Sequence, residues 1–209
     1  MNKSNNFKRF ISGFILFPIF IYLIIEGGLK LNLLLLVALS ISIYEWINFK
    51  INKLIKILGL IFLIISFYLV FLFRYSENEL TIFNFLLVSI ICIASDIGGL
   101  LFGKIFKGPK LSKISPNKTY SGVLGAFILS FLMTYILFKI YNFSSFYSQY
   151  LFKIFLISLI SQFGDLAISF FKRISKLKDT GKLIPGHGGL LDRIDGMIFA
   201  FPFAYFIFI

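Results

Sequence analysis

Hydrophobic residues fall into seven long runs along the chain, separated by short polar segments. The runs cover residues 10–26, 29–46, 55–73, 80–103, 120–138, 150–171 and 193–209. A helix needs about 17–25 apolar residues to cross a bilayer, and each run meets or approaches that length. The pattern predicts an all-α, polytopic membrane protein with about seven transmembrane helices in one bundle. We expect one domain over residues 1–209, with scaffold spans up to residue 73 and the site within residues 80–209.

Composition supports a membrane protein and argues against a soluble domain. Of the 209 residues, 58% are hydrophobic and 14% are charged, whereas a soluble domain has about 25% charged residues. The net charge of +12 suggests a nucleic-acid ligand at first, but the basic residues lie in loops between apolar runs. Charges in such loops orient a membrane protein and meet anionic headgroups or phosphates. We therefore expect no nucleic-acid partner.

The distribution of Lys and Arg predicts the orientation. If the N-terminus is cytoplasmic, that face of the membrane receives 17 of the 21 basic residues. Positively charged loops stay in the cytoplasm, so this asymmetry favours a cytoplasmic N-terminus and supports seven spans. The Glu45-Trp46 pair then lies at the inner end of the second span, where we expect an interfacial anchor.

Two carboxylates interrupt apolar runs near the cytoplasmic side. Asp96 and Asp165 each lie about seven residues before the inner end of a span, which places both roughly 10 Å below the interface. A carboxylate in hydrocarbon costs at least ~2.5–3.5 kcal/mol and needs a compensating partner. One interpretation pairs each with a Lys, an Arg or a backbone donor. The other is a metal site, because hard oxygen ligands suit Mg²⁺.

A polar stripe marks the sixth span. Gln162, Asp165, Ser169 and Lys172 recur at intervals of three and four, so they share one face of a helix. Such a face must meet protein or water rather than lipid. Gly164 beside Asp165 leaves room for a close neighbour.

The segment from Ser169 to Asp195 combines basic residues, glycines and carboxylates. Asp192 and Asp195 are three residues apart at the start of the last span, which taken alone is typical of a helix cap. The preceding turn, residues 185–189, contains Gly186, His187, Gly188 and Gly189. A glycine-rich turn before a helix can direct backbone N–H groups at phosphate oxygens. His187 either orients a phosphate or satisfies loop carbonyls.

This segment, SFFKRISKLKDTGKLIPGHGGLLDRID, closely resembles the signature of phosphatidate cytidylyltransferases, also called CDP-diacylglycerol synthases. Phe102-Gly103-Lys104, Ser115-Pro116, Lys118-Thr119 and Gly122 match a second family block. Asn117, Tyr120 and Ser121 depart from it, because Lys, Trp and Glu are usual there.

The resemblance implies an enzyme that converts CTP and phosphatidate into CDP-diacylglycerol and pyrophosphate with Mg²⁺, and it leaves room for a second metal ion. It implies a multi-pass protein of the bacterial inner or plasma membrane with its active site on the cytoplasmic side, and leaves a homodimer open. The expected metal ligands are Asp165 and Asp192, with Asp195 and Asp96 as weaker candidates for a second ion or supporting contacts. The expected catalytic and substrate-binding residues are His187, Lys172, Arg173, Lys118, Ser115, Lys178, Asp179, Gly186, Gly188, Gly189 and Arg193.

Two other functions stay open at this point. A CTP-dependent polyprenol or phytol kinase would share many spans and basic inner loops, but would transfer only the γ-phosphate. A small transporter or channel would place polar residues along the full membrane depth. The outer halves of the fourth and sixth runs are mostly apolar, which argues against a conduction path.

Overall fold

The computed structural model describes residues 18–75, 78–112, 115, 118–181 and 188–208. Within these ranges the regular structure is helical, apart from isolated bridge residues, which are Gly188 and the antiparallel pair Lys110 and Thr119. This confirms the prediction of an all-α fold. The helices are α1, helical over residues 18–26, α2 (Gly28–Ile47), α3 (Lys53–Tyr75), α4 (Glu79–Phe106), α5 (Tyr120–Ile140), α6 (Tyr147–Ile174), α7 (Leu191–Ile194) and α8 (Met197–Phe208).

Five helices in the described ranges are long and apolar enough to cross a membrane. They are α2 to α6, and a 3₁₀ turn at Ser144–Phe146 leads directly into α6. These five match the predicted second to sixth spans, so the chain is a multi-pass membrane protein. The first predicted span begins outside the described residues. Seven crossings and a cytoplasmic N-terminus stay predictions.

The predicted last span, residues 193–209, is not one continuous helix. A turn at Asp195 and Gly196 separates the four residues of α7 from the twelve of α8. The N–H of Gly196 donates to Oδ1 of Asp195 at 2.9 Å, and a Cβ on Gly196 would lie 2.4 Å from Oγ of Ser161. This local hydrogen bond and the close approach favour a turn over a helix at this point. Asp192 therefore lies in α7, whereas Asp195 lies in the turn that follows it.

The chain divides into two compact units. The first comprises Met1–Ile82 and Phe171–Ile194, and the second comprises Phe83–Phe170 and Asp195–Ile209. α4 and α6 each contribute residues to both units. The expectation of a single domain stays a prediction.

In the first unit, α2 packs against α3. The buried Trp46 donates its indole N–H to the carbonyl of Lys56 at 2.9 Å. A Cβ on Gly59 would lie 2.1 Å from the Trp46 ring, so this contact requires glycine on α3. Farther along α3, the buried Arg74 donates from Nε to the carbonyl of Ile24 at 3.0 Å. The Trp46 contacts therefore join α2 to α3, and the Arg74 hydrogen bond joins α3 to α1.

In the second unit, glycines bring α4 and α5 into close contact. A Cβ on Gly98 would lie 2.4 Å from the carbonyl oxygen of Gly125, and small residues of this kind let helix backbones approach in a membrane protein. The loop between the two helices closes on itself, because the N–H of Leu111 donates to the carbonyl of Lys118 at 2.8 Å. The packing and the closed loop together fix the position of Lys118, two residues before the start of α5.

Candidate active site

In the second unit, Lys118 and Asp165 form an ion pair. Nζ of Lys118 lies 2.5 Å from Oδ2 of Asp165, and the two side chains are 25% and 28% exposed. Oγ of Ser169, one turn farther along α6, lies 3.4 Å from Oδ1 of Asp165. Of the two interpretations offered for Asp165, a basic partner is present in this structure. The predicted polar stripe on α6 supplies the Asp165–Ser169 contact.

The start of α5 explains how Lys118 is held. Thr119 caps the helix by accepting the N–H of Gly122 at 3.1 Å. Ser121 donates to the carbonyl of Lys107 at the other end of the loop. Ser121 therefore stabilises the loop backbone at a position where a carboxylate is usual in the matching block.

In the first unit, Asp192 is the centre of a second cluster. Nζ of Lys172 lies 2.6 Å from Oδ1 of Asp192, and these side chains are only 12% and 7% exposed. Oδ2 accepts the N–H of Thr180 at 2.8 Å and the N–H of Gly189 at 3.1 Å. The hydroxyl of Thr180 lies 3.0 Å from the same oxygen. Asp192 thus joins α6, the following loop and α7.

The electrostatics of this cluster favour an ionised Asp192. Burial raises its pKa, but hydrogen bonds from Lys172 and from the backbone of Thr180 and Gly189, together with the charge of Lys172, lower it. The contributions that lower the pKa are larger in total, so the pKa of Asp192 lies below its ordinary value of 3.8. Asp192 therefore carries a negative charge at neutral pH beside the cation of Lys172.

A third carboxylate, Glu45 of α2, belongs to the same cluster. Its side chain is buried. Oε1 accepts the N–H of Leu190 at 2.8 Å, and Oε2 accepts the N–H of Leu191 at 2.9 Å. Oγ of Thr180 lies 2.7 Å from Oε2. The expectation that Glu45 and Trp46 form an interfacial anchor is wrong, because both side chains are buried inside the first unit.

The glycines before α7 make room for these carboxylates. Gly188 has a φ of +89°, which favours glycine, and a Cβ there would lie 3.1 Å from Oδ2 of Asp192. A Cβ on Gly189 would lie 2.5 Å from Oε2 of Glu45. The N–H groups of Gly189, Leu190 and Leu191 all point at carboxylates of the protein. Phosphate binding by Gly188 and Gly189 stays a prediction.

The other predicted residues occupy varied environments. Asp195 is buried, with Oδ1 bonded to Gly196, and its backbone carbonyl would lie 2.7 Å from a Cβ on Gly164, which confirms the close approach expected there. Ser115 is half-buried, and its carbonyl accepts the N–H of Lys118 at 3.0 Å. Gly186 and His187 lie outside the described residues. The exposed members of the predicted set are Asp96, Arg173, Lys178, Asp179 and Arg193.

The two predicted metal ligands, Asp165 and Asp192, differ in how many of their oxygen lone pairs are already used by other contacts. A carboxylate offers about four lone-pair positions. From the described residues, Asp192 receives four contacts, three of them on Oδ2, whereas Asp165 receives two and is more exposed. Within each unit, the described residues include no group of three His, Cys, Asp or Glu side chains that could hold a metal. Asp165 therefore fits a metal ligand better than Asp192, and a cation shared by both stays a prediction.

Sequence comparison places these clusters in a family context. The chain matches the model of the cytidylyltransferase family over residues 53–209. It is 37% identical over 206 residues to the phosphatidate cytidylyltransferase of Rickettsia conorii, covering 94% of this chain and 88% of that protein. It is 38% identical to the enzyme of that name from Rickettsia bellii, covering 98% and 91% of the two chains. For the Bacillus subtilis enzyme of the same name the identity is 27%, with 96% of each chain covered.

These relatives match nearly the full length of the chain and have the same name. The family match covers most of the chain, including the Lys118–Asp165 and Lys172–Asp192 pairs but not Glu45. The resemblance found in the motif from Ser169 to Asp195 is thereby confirmed. The chain belongs to the cytidylyltransferase family.

Proposed function

We propose that this chain transfers CMP from CTP to phosphatidate in the membrane, giving CDP-diacylglycerol and pyrophosphate. The observation that carries the proposal is the near full-length similarity to phosphatidate cytidylyltransferases. The multi-pass helical fold supports it, because one substrate is a lipid. Two lysine–carboxylate pairs, Lys118 with Asp165 and Lys172 with Asp192, support it as well.

The reaction needs little acid–base chemistry from the protein. A phosphate oxygen of phosphatidate attacks the α-phosphorus of CTP, and a new P–O bond forms. The bond from the α-phosphorus to the bridging oxygen breaks, and pyrophosphate leaves with that electron pair. The second pKa of a phosphate monoester is about 6, so the nucleophile is largely dianionic at neutral pH. His187 then serves to orient a phosphate, not to remove a proton.

The main obstacle is repulsion between two polyanions. An anionic lipid must approach a triphosphate, so cationic side chains have to screen both. Lys118 is 25% exposed and can turn from Asp165 to a phosphate oxygen at small cost. Lys172 is 12% exposed and is held more tightly by Asp192. Arg173, Lys178 and Arg193 are exposed cations within the segment from Ser169 to Asp195 and assist in binding phosphate. Ser115, Asp179 and the glycines at 186, 188 and 189 are further candidates for contacts with the substrates.

Asp165 is the primary residue for holding Mg²⁺. Its carboxylate already attracts one cation, and contacts from the described residues occupy two of its about four lone-pair positions. When bound, Mg²⁺ supplies positive charge that stabilises the phosphates and the departing pyrophosphate. Asp192 holds Lys172 and the loop, and joins the metal only if that pairing changes. Asp195 and Asp96 are supporting candidates, including for a second ion.

The site lies on the cytoplasmic side of a bacterial inner or plasma membrane. The distribution of basic residues along the chain supports this orientation, and CTP is a cytosolic nucleotide. The homodimer left open by the sequence stays a prediction.

The position of a radioactive label in CTP tests the proposed function. Purified protein is given phosphatidate, Mg²⁺ and CTP labelled at either the α- or the γ-phosphate. The α-label is expected in the extracted lipid, with unlabelled pyrophosphate released in equal amount, whereas the γ-label stays in the aqueous phase. Transfer of the γ-label to lipid would indicate a kinase instead.

A further inference from the structure

Glu45 connects α2 to the glycine-containing loop that precedes α7. Its two oxygens accept N–H groups from consecutive residues, Leu190 and Leu191, at 2.8 and 2.9 Å. Thr180, at the other end of the loop, places its hydroxyl 2.7 Å from Oε2. The two ends of the 180–191 loop therefore meet on one carboxylate. Glu45 itself lies outside the region matched by the family model, residues 53–209.

The same loop holds Asp192. Oγ of Thr180 lies 2.7 Å from Glu45 and 3.0 Å from Oδ2 of Asp192, so its single proton can serve either carboxylate. The N–H groups of Thr180 and Gly189 also bind Oδ2. A change at Glu45 therefore reaches Asp192 through Thr180 and the backbone.

Burial makes this arrangement rigid. Glu45 is 1% exposed and Thr180 is 5% exposed, so water does not replace a lost partner easily. A buried N–H left without an acceptor is costly, and hydrogen bonds to a carboxylate are stronger than neutral ones. Glycine at positions 181 and 189 fits the same packing, because a Cβ at either would lie 2.6 or 2.5 Å from a Glu45 oxygen.

We propose that Glu45 is a positioning residue for the reaction: it joins Thr180 to Leu190 and Leu191, the two described ends of the loop, and thereby fixes Asp192 and its partner Lys172. This inference rests on the proposed function. Glu45 touches no substrate in this account. Its role extends the catalytic arrangement to α2, in the part of the chain otherwise expected to be only a scaffold.

The test compares variants that change one contact each. Glu45→Gln keeps the shape but offers one carbonyl oxygen to two N–H groups, so either Leu190 or Leu191 loses its acceptor. Thr180→Val removes the bridging hydroxyl at similar volume, and Thr180→Ser restores it. Ser42→Ala is the matched control, because Ser42 is also buried on α2 and donates only within its own helix, to the carbonyl of Ala38.

Two readouts are measured on the full-length protein in detergent. The first is kcat and KM for CDP-diacylglycerol formation, and the second is hydrogen exchange of the amides in residues 188–194. Glu45→Gln is expected to lower kcat at least about tenfold and to accelerate exchange at Leu190 and Leu191 at least about tenfold. Thr180→Val lowers kcat, Thr180→Ser stays within about twofold, and Ser42→Ala changes neither readout by more than about twofold. The double variant Glu45→Gln with Thr180→Val is no worse than the poorer single variant, because both act through one chain of contacts.

Several results would overturn the proposal. Unchanged kcat with accelerated exchange would show that loop order is irrelevant to the reaction, and lowered kcat with full amide protection would show that Glu45 acts by another route. If Glu45→Gln does not fold, equal activity of Thr180→Val and Thr180→Ser would overturn it. If the wild-type protein forms no CDP-diacylglycerol, the proposed function is wrong. The amide exchange rates would then still test whether Glu45 holds Leu190 and Leu191 in place.

Discussion

The ammonium nitrogen of Lys172 lies 2.6 Å from Oδ1 of Asp192, and both side chains are almost entirely buried. Lys172 is near the end of α6, and Asp192 is the second residue of α7. An ion pair in this environment is costly to form and more costly to break, because a lone buried charge has no water to solvate it.

Single and double substitutions of Lys172 and Asp192 should affect thermal stability and enzymatic activity differently. Lys172→Met leaves Asp192 without its cation and is expected to cost about 3 kcal/mol of stability. The double variant Lys172→Met with Asp192→Asn removes both charges and is expected to recover most of the thermal midpoint while staying inactive. Recovery of CDP-diacylglycerol formation in the double variant would contradict a catalytic role for the pair, and thermal unfolding in detergent provides the stability measurement.

The lowered pKa of Asp192 predicts a pH dependence of stability. A carboxyl group whose pKa is lower in the folded protein stabilises the fold above its ordinary value, here 3.8, and this stabilisation is lost as the pH falls through the lowered folded value. The thermal midpoint of wild type minus that of Asp192→Asn should therefore be constant from neutral pH down to that ordinary value and shrink below it. A difference that already shrinks near neutral pH would show that the pKa of Asp192 is not lowered.

Lys118 should matter for CTP more than for folding. Its pair with Asp165 is about a quarter exposed, and exposed pairs contribute only about 0–1 kcal/mol. Lys118→Gln is therefore expected to raise KM for CTP about tenfold, equivalent to about 1.4 kcal/mol, with little change in thermal midpoint. Lys110→Gln is the control, because Lys110 is an exposed lysine in the same loop. Equal effects of both variants would indicate a general charge effect.

The sequence predicted most of the helices because hydropathy and length are local properties. The polar face of α6 and the glycine approach at Gly164 were predictable for the same reason. The sequence also offered the pairing of Asp165 with a basic residue as one of two interpretations, and only the fold identifies Lys118 as that residue.

Two features could not be predicted from local patterns. Glu45 bonds residues 135 to 146 positions away along the chain, and no periodicity encodes such a contact. A carboxylate inside a predicted span was the one available signal. The turn at Asp195 and Gly196 interrupts an apolar run that reads as continuous, because it depends on contact between Gly196 and Ser161.

The central claim is that Asp165 serves the reaction and not the fold. Its most direct test is the initial rate of CDP-diacylglycerol formation by Asp165→Asn, beside Glu79→Gln, which removes an exposed carboxylate in the first turn of α4. Both variants should insert and fold like wild type. The account predicts a loss of at least about 100-fold for Asp165→Asn and a wild-type rate for Glu79→Gln; a folded Asp165→Asn protein with a wild-type rate would contradict it.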